Sequence, residues 1–217
     1  QVFLIVNKEG EKIKYEVDAE QLEQGKIGYW MSLAKAYEAI GQIDAALEPY
    51  KEIVELAAPG SAEMREADRF IDFIKATQLA RQSNFVEAEK LYSSLRKRYP
   101  YDSTVLYNLA LAYLFNNKLD EADVSFKELF DVVPENSALY YSIGGTYEQQ
   151  GHVLIATNYY KRAIDAATED EVVRHALLRR AFIENKFLVD EGKYEDALKF
   201  YKEISRKTKP GTPEYIE

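Results

Sequence analysis

The sequence predicts an all-α solenoid of about five helix-turn-helix repeats, preceded by a short N-terminal β-hairpin. Three observations predict it. Ala88, Ala122 and Ala156 lie 34 residues apart, in the matching segments Asn84-Phe85-Val86-Glu87-Ala88, Lys118-Leu119-Asp120-Glu121-Ala122 and His152-Val153-Leu154-Ile155-Ala156. An aromatic follows four residues after each alanine: Tyr92, Phe126 and Tyr160. Ala46 with Tyr50, and Ala197 with Tyr201, keep the local pattern at irregular spacing. A fixed period near 34 residues is the mark of stacked helical pairs, none of which can bury its apolar face alone.

The elements follow in chain order. Residues 2–6, Val-Phe-Leu-Ile-Val, form a β-prone run. Turn chemistry over Asn7–Lys12 leads to Ile13, Tyr15 and Val17 alternating with Lys14 and Glu16, which reads as a hairpin over 1–17. A lone hairpin is marginal in water, so it is expected to pack on the helices, pair with another chain or belong to a further domain. Asp18 with Gln21 forms a capping box for a short capping helix or linker over 18–26, ending near Gly25. The solenoid occupies 27–211, in repeats 27–60, 61–102, 103–136, 137–170 and 171–211.

Leu106, Leu109, Ala110 and Tyr113 recur at three- and four-residue steps and share one helix face; Ala122, Phe126 and Leu129 do so on the next helix. Alanine at the crossing lets the two axes approach, so Ala122→Leu is expected to overpack it at a cost of about 1–3 kcal/mol. Gly41, Gly151 and Gly192 sit where a first helix must end in a left-handed residue, and Asn117 takes that place in the third copy. Pro100 and Pro134 mark exits from second helices. Ala46 to Ala88 is 42 residues and Ala156 to Ala197 is 41, an excess of about two helical turns each. Long leading helices are therefore expected over roughly 61–82 and 169–190. Ser61 would cap the first, and Thr168 with Glu171 would form a capping box for the second. Pro210-Gly211-Thr212-Pro213-Glu214 echoes Pro59-Gly60-Ser61-Ala62-Glu63, so 212–217 is expected to start a truncated C-terminal helix.

The pattern resembles the tetratricopeptide repeat family over about residues 27 to 211. Residues 103–136 match its signature at Leu106, Leu109, Ala110, Tyr113, Ala122, Phe126, Leu129 and Pro134. Residues 137–170 match at Tyr140, Ile143, Gly144, Tyr147, Gly151, Ala156, Tyr160 and Ala163, and residues 27–60 at Trp30, Leu33, Ala34, Tyr37, Gly41, Ala46 and Tyr50. Residues 69–102 depart at Asp72 and Lys75 and recover at Ala88, Tyr92, Leu95 and Pro100. Residues 178–211 depart at Glu184 and Asn185 and recover at Gly192, Ala197 and Tyr201. The resemblance implies a right-handed superhelical solenoid whose first helices line a concave groove.

Composition narrows the partner class. The net charge of −9, from 28 basic and 37 acidic residues, argues against a nucleic-acid or anionic-membrane binder, which needs a basic stripe. No apolar run approaches the length that spans a bilayer. The absence of cysteine excludes disulfides, thiol nucleophiles and thiolate metal sites. The chain opens at Gln1, so an upstream piece is expected to have been removed at a signal-peptide site or an arbitrary boundary. An exported, periplasmic bacterial protein is the expectation this leans toward.

No catalytic constellation emerges, and no cofactor or metal is implied. His152 lies in an inter-helix turn and His175 in a long helix, with no motif joining them. There is no glycine-rich phosphate loop and no paired-histidine motif. Glu169-Asp170-Glu171 reads as a helix start, where negative charge meets the positive end of the dipole. Arg179-Arg180 and Arg206-Lys207 could bind an acidic partner, but helix-surface charge is the favoured reading. The expected role is not enzymatic.

The groove supplies the site. The fifth position of each repeat gives Met31, Phe73, Tyr107, Tyr141 and Phe182, and neighbouring positions add Ser32, Ile74, Asn108, Leu111, Ser142, Ile183 and Lys186. Aromatics that the helix crossing does not require read as a peptide-binding strip, since rigid rings are frequent interface anchors. Family members that hold a C-terminal carboxylate use lysine, asparagine and arginine on successive first helices. Here Asn108 alone matches, while Phe73, Thr77, Ala138 and Ser142 occupy the other such places, so a carboxylate clamp is rejected. The reading is a scaffold that binds an unknown peptide or protein segment. Self-association through the hairpin and groove is the alternative.

Overall fold

The computed structural model describes the backbone of residues 2–8, 11–17, 19–134, 136–166 and 170–207. Side chains are described over 23–134, 136–166, 175–176 and 178–202. Ten α-helices follow one another among these residues: α1 (Ala19–Ala39), α2 (Leu47–Leu56), α3 (Ala62–Arg81), α4 (Phe85–Arg98), α5 (Ser103–Phe115), α6 (Leu119–Val132), α7 (Ser137–Gln149), α8 (Val153–Asp165), α9 (Asp170–Asp190) and α10 (Tyr194–Lys207). A 3-10 turn, Ile43–Ala46, leads into α2. The chain divides inside α6 into two compact units, Gln1–Phe126 and Lys127–Glu217, each described by itself.

The small residues form the hinge of every pair. Ala46 at the entry to α2, and Ala88, Ala122 and Ala156 on the later second helices, are fully buried, as are Ala34, Ala76 and Ala110 on the first. Gly144 fills that place in the fourth repeat, where a Cβ would stand 2.9 Å from Tyr160 Cε1. Beside these crossings the rings of Tyr50, Tyr92, Phe126 and Tyr160 are at most 1% exposed. In the first unit one core gathers Tyr50, Ile53, Ala67, Ile71 and Ile74, and a second gathers Tyr92, Leu95, Val105 and Leu109.

First helices end alike. Gly41 (φ 74°), Ser83 (φ 61°), Asn117 (φ 58°), Gly151 (φ 80°) and Gly192 (φ 74°) are all left-handed. At Gly41 the amide bonds the Glu38 carbonyl at 2.9 Å and the next amide, of Gln42, reaches back to Tyr37 at 2.9 Å. The other four turns repeat this double bond, which satisfies carbonyls the helix end would leave open. Ser83 was not anticipated, because its side chain carries no left-handed signature. Its place in the repeat does.

The long helices have the expected lengths. α3 has 20 residues and α9 has 21, against 13 in α5. Ser61 Oγ caps α3 by accepting from the Met64 amide at 3.1 Å. Thr168, proposed to cap α9, and residues 212–217 lie outside the described residues, as does Asp18.

One expectation changes at the N-terminus. The short helix ending near Gly25 is instead part of a continuous α1 of 21 residues. A Cβ on Gly25 or Gly28 would meet nothing within 4 Å, so neither glycine marks a close approach or a break. Each merely costs the helix about 0.5–1 kcal/mol. The hairpin expected over 1–17 is not part of the helical solenoid. The backbone of Val2–Lys8 and Glu11–Val17 runs antiparallel with Val2 opposite Val17. The helical architecture does not depend on that pair, and an isolated two-stranded ribbon is marginal.

Candidate functional site: the exposed face of the first helices

The fifth-position rings are a second layer on the crossing. Phe73 lies edge-on to Tyr92 at 5.9 Å, Tyr107 to Phe126 at 6.3 Å, and Tyr141 meets Tyr160 at 5.5 Å. Each pair is separated by the same number of residues, so a contact between equivalent rings recurs three times, edge-on in the first two and tilted in the third. The rings that the crossing was not expected to require thus touch its buried ring in three repeats. With alanine or glycine at the hinge, the axes come close enough for the next ring outward to touch the buried one. Phe73, Tyr107 and Tyr141 remain half-buried, each keeping part of its surface accessible.

The remaining candidates separate by exposure. Met31 is half-buried against the core around Tyr50. Asn108 and Leu111 are half-buried, and the Asn108 amide donates to the Thr104 carbonyl of its own helix at 2.8 Å. Ser142 and Lys186 are exposed, and Phe182 is 56% exposed. Ile74 and Ile183 leave the candidate surface, because they are 1% and 5% exposed and serve the core. In the first unit α3 touches α5, which places Phe73 on the helix next to Tyr107, Asn108 and Leu111. In the second unit α7 touches α9, which places Tyr141 and Ser142 on the helix next to Phe182 and Lys186.

Each unit also carries a cavity on this face. In the second unit a cavity of about 450 Å³ is lined by Tyr141, Ser142, Gly145, Glu148, Tyr160 and Arg179. Glu148 accepts a hydrogen bond from Tyr160 Oη at 2.6 Å and from Arg179 Nε at 3.2 Å, and forms an ion pair with Arg179. Burial, and then the bond to the Glu148 carboxylate, raise the Tyr160 pKa above its ordinary value. The same carboxylate raises that of Arg179 against the opposing effect of burial. In the first unit a cavity of about 280 Å³ is lined by Glu38, Arg69, Phe70, Phe73 and Asp102, among others. Arg69 lies 4.6 Å above the Phe70 ring and pairs with Asp102 at 2.9 Å. Tyr50 Oη donates to Glu38, and its pKa is raised by burial and then by that bond.

Sequence reasoning missed Glu38, Glu148 and Arg69, and read Arg179 as helix-surface charge. A signal for the two glutamates was present. Both crossing tyrosines whose hydroxyl meets a carboxylate, Tyr50 and Tyr160, have glutamate twelve residues earlier. Where the crossing ring is Phe126, which has no hydroxyl, that place holds buried Leu114. Tyr92 instead meets Thr77 Oγ1 at 2.9 Å.

Family models described as Tetratricopeptide repeat match residues 27–59, 75–124 and 107–171, spanning four of the five helical pairs. The chain belongs to the tetratricopeptide repeat family. Solved structures share the fold. A crystal structure of MamA protein aligns with a TM-score of 0.54 at 14% identity, covering 84% of this chain and 91% of that one. A double mutant of MamA RS-1 aligns at 0.53 with 15% identity, covering 84% and 94%. The nearly identical TPR-like repeats of a Podosopora anserina putative kinesin light chain align at 0.50 with 13% identity, covering 88% and 97%. At these identities the likeness concerns the fold alone. No curated protein matches the chain significantly. The tetratricopeptide frame explains why the fifth-position rings recur: they occupy equivalent places on successive first helices of a repeat solenoid suited to protein interaction.

Proposed function

We propose that this chain is a non-catalytic scaffold that binds an extended peptide or protein segment along the first-helix face of each unit. The observation that carries the reading is the recurrence of half-buried rings at Phe73, Tyr107 and Tyr141. Each is held against a buried ring yet keeps accessible surface. A ring held this way loses little freedom when a partner covers it, which favours binding. Met31, Asn108 and Leu111 extend the strip in the first unit, and Ser142, Phe182 and Lys186 extend it in the second. The polar cavity around Glu148 and Arg179, and the mainly apolar one around Glu38, Phe70 and Phe73, would accept side chains of the bound segment. A right-handed superhelical course and an N-terminal hairpin belong to this proposal. Self-association is the second reading, favoured by exposed apolar residues on α1 and α10.

The test begins with a random-peptide display selection against the whole chain, followed by calorimetric titration of the selected peptide. Tyr107→Ala is expected to weaken binding by about 1–3 kcal/mol while the chain stays folded. Tyr160→Ala is expected chiefly to lower the melting temperature. Selected peptides whose affinity is untouched by Tyr107→Ala and Tyr141→Ala would overturn the reading.

A further inference from the structure

Glu38 is the one charged group lining the first-unit cavity that forms no ion pair among the described residues. Arg69 pairs with Asp102 at 2.9 Å, and the other Asp102 oxygen accepts from the Thr104 and Val105 amides. Lys35, one turn before Glu38, pairs instead with Glu66 at 3.4 Å. Glu38 accepts one hydrogen bond, from Tyr50 Oη to its Oε1, and Oε2 has no partner among the described residues. A carboxylate offers about four acceptor sites, so most of this capacity is unused by the chain.

The second unit shows how the equivalent carboxylate is completed. Glu148 holds the crossing hydroxyl of Tyr160, as Glu38 holds that of Tyr50. It also takes two hydrogen bonds from one guanidinium: Arg179 Nε on Oε2 at 3.2 Å, and Arg179 Nη2 on Oε1. Arg179 stands three residues before Phe182, and Phe70 stands in the same place, three before Phe73. Phe70 stacks its ring on Tyr50 at 4.9 Å and offers Glu38 no donor. The two glutamates hold their tyrosines alike, and the one beside Phe70 lacks its cation.

The cavity beside Glu38 has the size and lining to admit that cation from a partner. Pockets for drug-sized molecules run to about 300–1,000 Å³, so about 280 Å³ suits one side chain. Phe73 and Val105 supply an apolar wall for an alkyl stem. The Arg69 guanidinium already lies 4.6 Å from the Phe70 ring centre in the same cavity. The net charge of −9 draws cationic partners. We propose that this cavity receives an arginine of the bound segment, whose guanidinium meets the Glu38 carboxylate as Arg179 meets Glu148. Arginine suits the place better than lysine, because its planar fork holds both carboxylate oxygens while one also carries the tyrosine hydroxyl. This deepens the groove reading and rests on it, adding the residue that the segment must carry.

The peptide selected by display on the whole chain is titrated by calorimetry into the parent, Glu38→Gln and Glu55→Gln. Glutamine keeps an acceptor for Tyr50 and removes the charge. Glu55 is an exposed residue of α2 and serves as the control, and melting curves verify that both variants fold. Selected peptides are expected to share an arginine. Replacing it by citrulline, its uncharged isostere, is expected to weaken binding to the parent about tenfold. The same replacement is expected to change binding to Glu38→Gln less than about twofold, with Glu55→Gln behaving like the parent. Peptides without a shared arginine, or a citrulline effect that survives in Glu38→Gln, would overturn the proposal. The citrulline arm needs no protein variant, and an effect below about twofold in the parent overturns the proposal by itself. If such peptides still lose affinity with Tyr107→Ala, the groove reading stands and only the arginine falls. Peptides indifferent to both Tyr107→Ala and Tyr141→Ala overturn the groove reading and this proposal with it.

Discussion

Asn185 occupies the hinge where every other repeat has alanine or glycine. Its side chain is fully buried, and among the described residues neither Oδ1 nor Nδ2 has a hydrogen-bond partner. Leaving such an amide unpaired costs about 1–3 kcal/mol. Asn185→Ala restores the residue type of Ala34, Ala76 and Ala110. It is expected to raise stability by about 1–2 kcal/mol, the gain exceeding the small loss of packing. A thermal melt checks this, and a lower melting temperature would show that the amide has a role in holding α9 to α10. The departure itself was legible, since the sequence placed Asn185 at a position reserved for small residues. Its lack of a partner was not, because satisfaction depends on neighbours brought together by packing. The tyrosine hydroxyls supply a pH test. Tyr50, Tyr92 and Tyr160 have folded pKa values raised above the ordinary 10.0, with burial the largest cause in each. Below pH 10 these hydroxyls are protonated in both states. Above it the unfolded chain ionises first, so it binds fewer protons and stability falls as pH rises. The melting temperature is expected to drop from about pH 10 upward, and less steeply in Tyr160→Phe than in the parent.

At the scale of helices, length and ends were the readable quantities. The excess spacing between crossing alanines gave the two long helices because two added turns preserve the buried face. The extension of α1 back to Ala19 was hidden, since Gly25 and Gly28 looked like terminators and proved to be tolerated in a helix. Ser83 was hidden for the opposite reason: a repeat position imposed a left-handed turn on a residue that does not advertise one. Asp102 shows how one residue serves two elements. Its Oδ1 accepts from the Thr104 and Val105 amides at 3.0 and 3.2 Å, and Oδ2 pairs with Arg69 of α3. Asp102→Ala removes both and is expected to cost about 1–2 kcal/mol. Asp102→Asn keeps a cap oxygen and is expected to cost less than half as much. Denaturant titration of the two variants distinguishes capping from the ion pair, and equal losses would assign the whole effect to the charge.

For the molecule as a whole, the repeat beat made the architecture readable because one 34-residue unit is written several times and errors in any copy are corrected by the others. The candidate surface was only half readable. Its rings were named from their repeat positions, but their contact with the crossing aromatics, the burial of Ile74 and Ile183, and the arginine–glutamate cavities arise between elements and leave little trace in one helix. The central claim is that the first helices carry the binding face. Hydrogen–deuterium exchange with and without the display-selected peptide tests it most directly. The account predicts slower exchange on binding in α3, α5 and α7, with α4 and α8 little changed. Protection confined to α4, α8 or α10 would contradict it and move the working surface to the second helices.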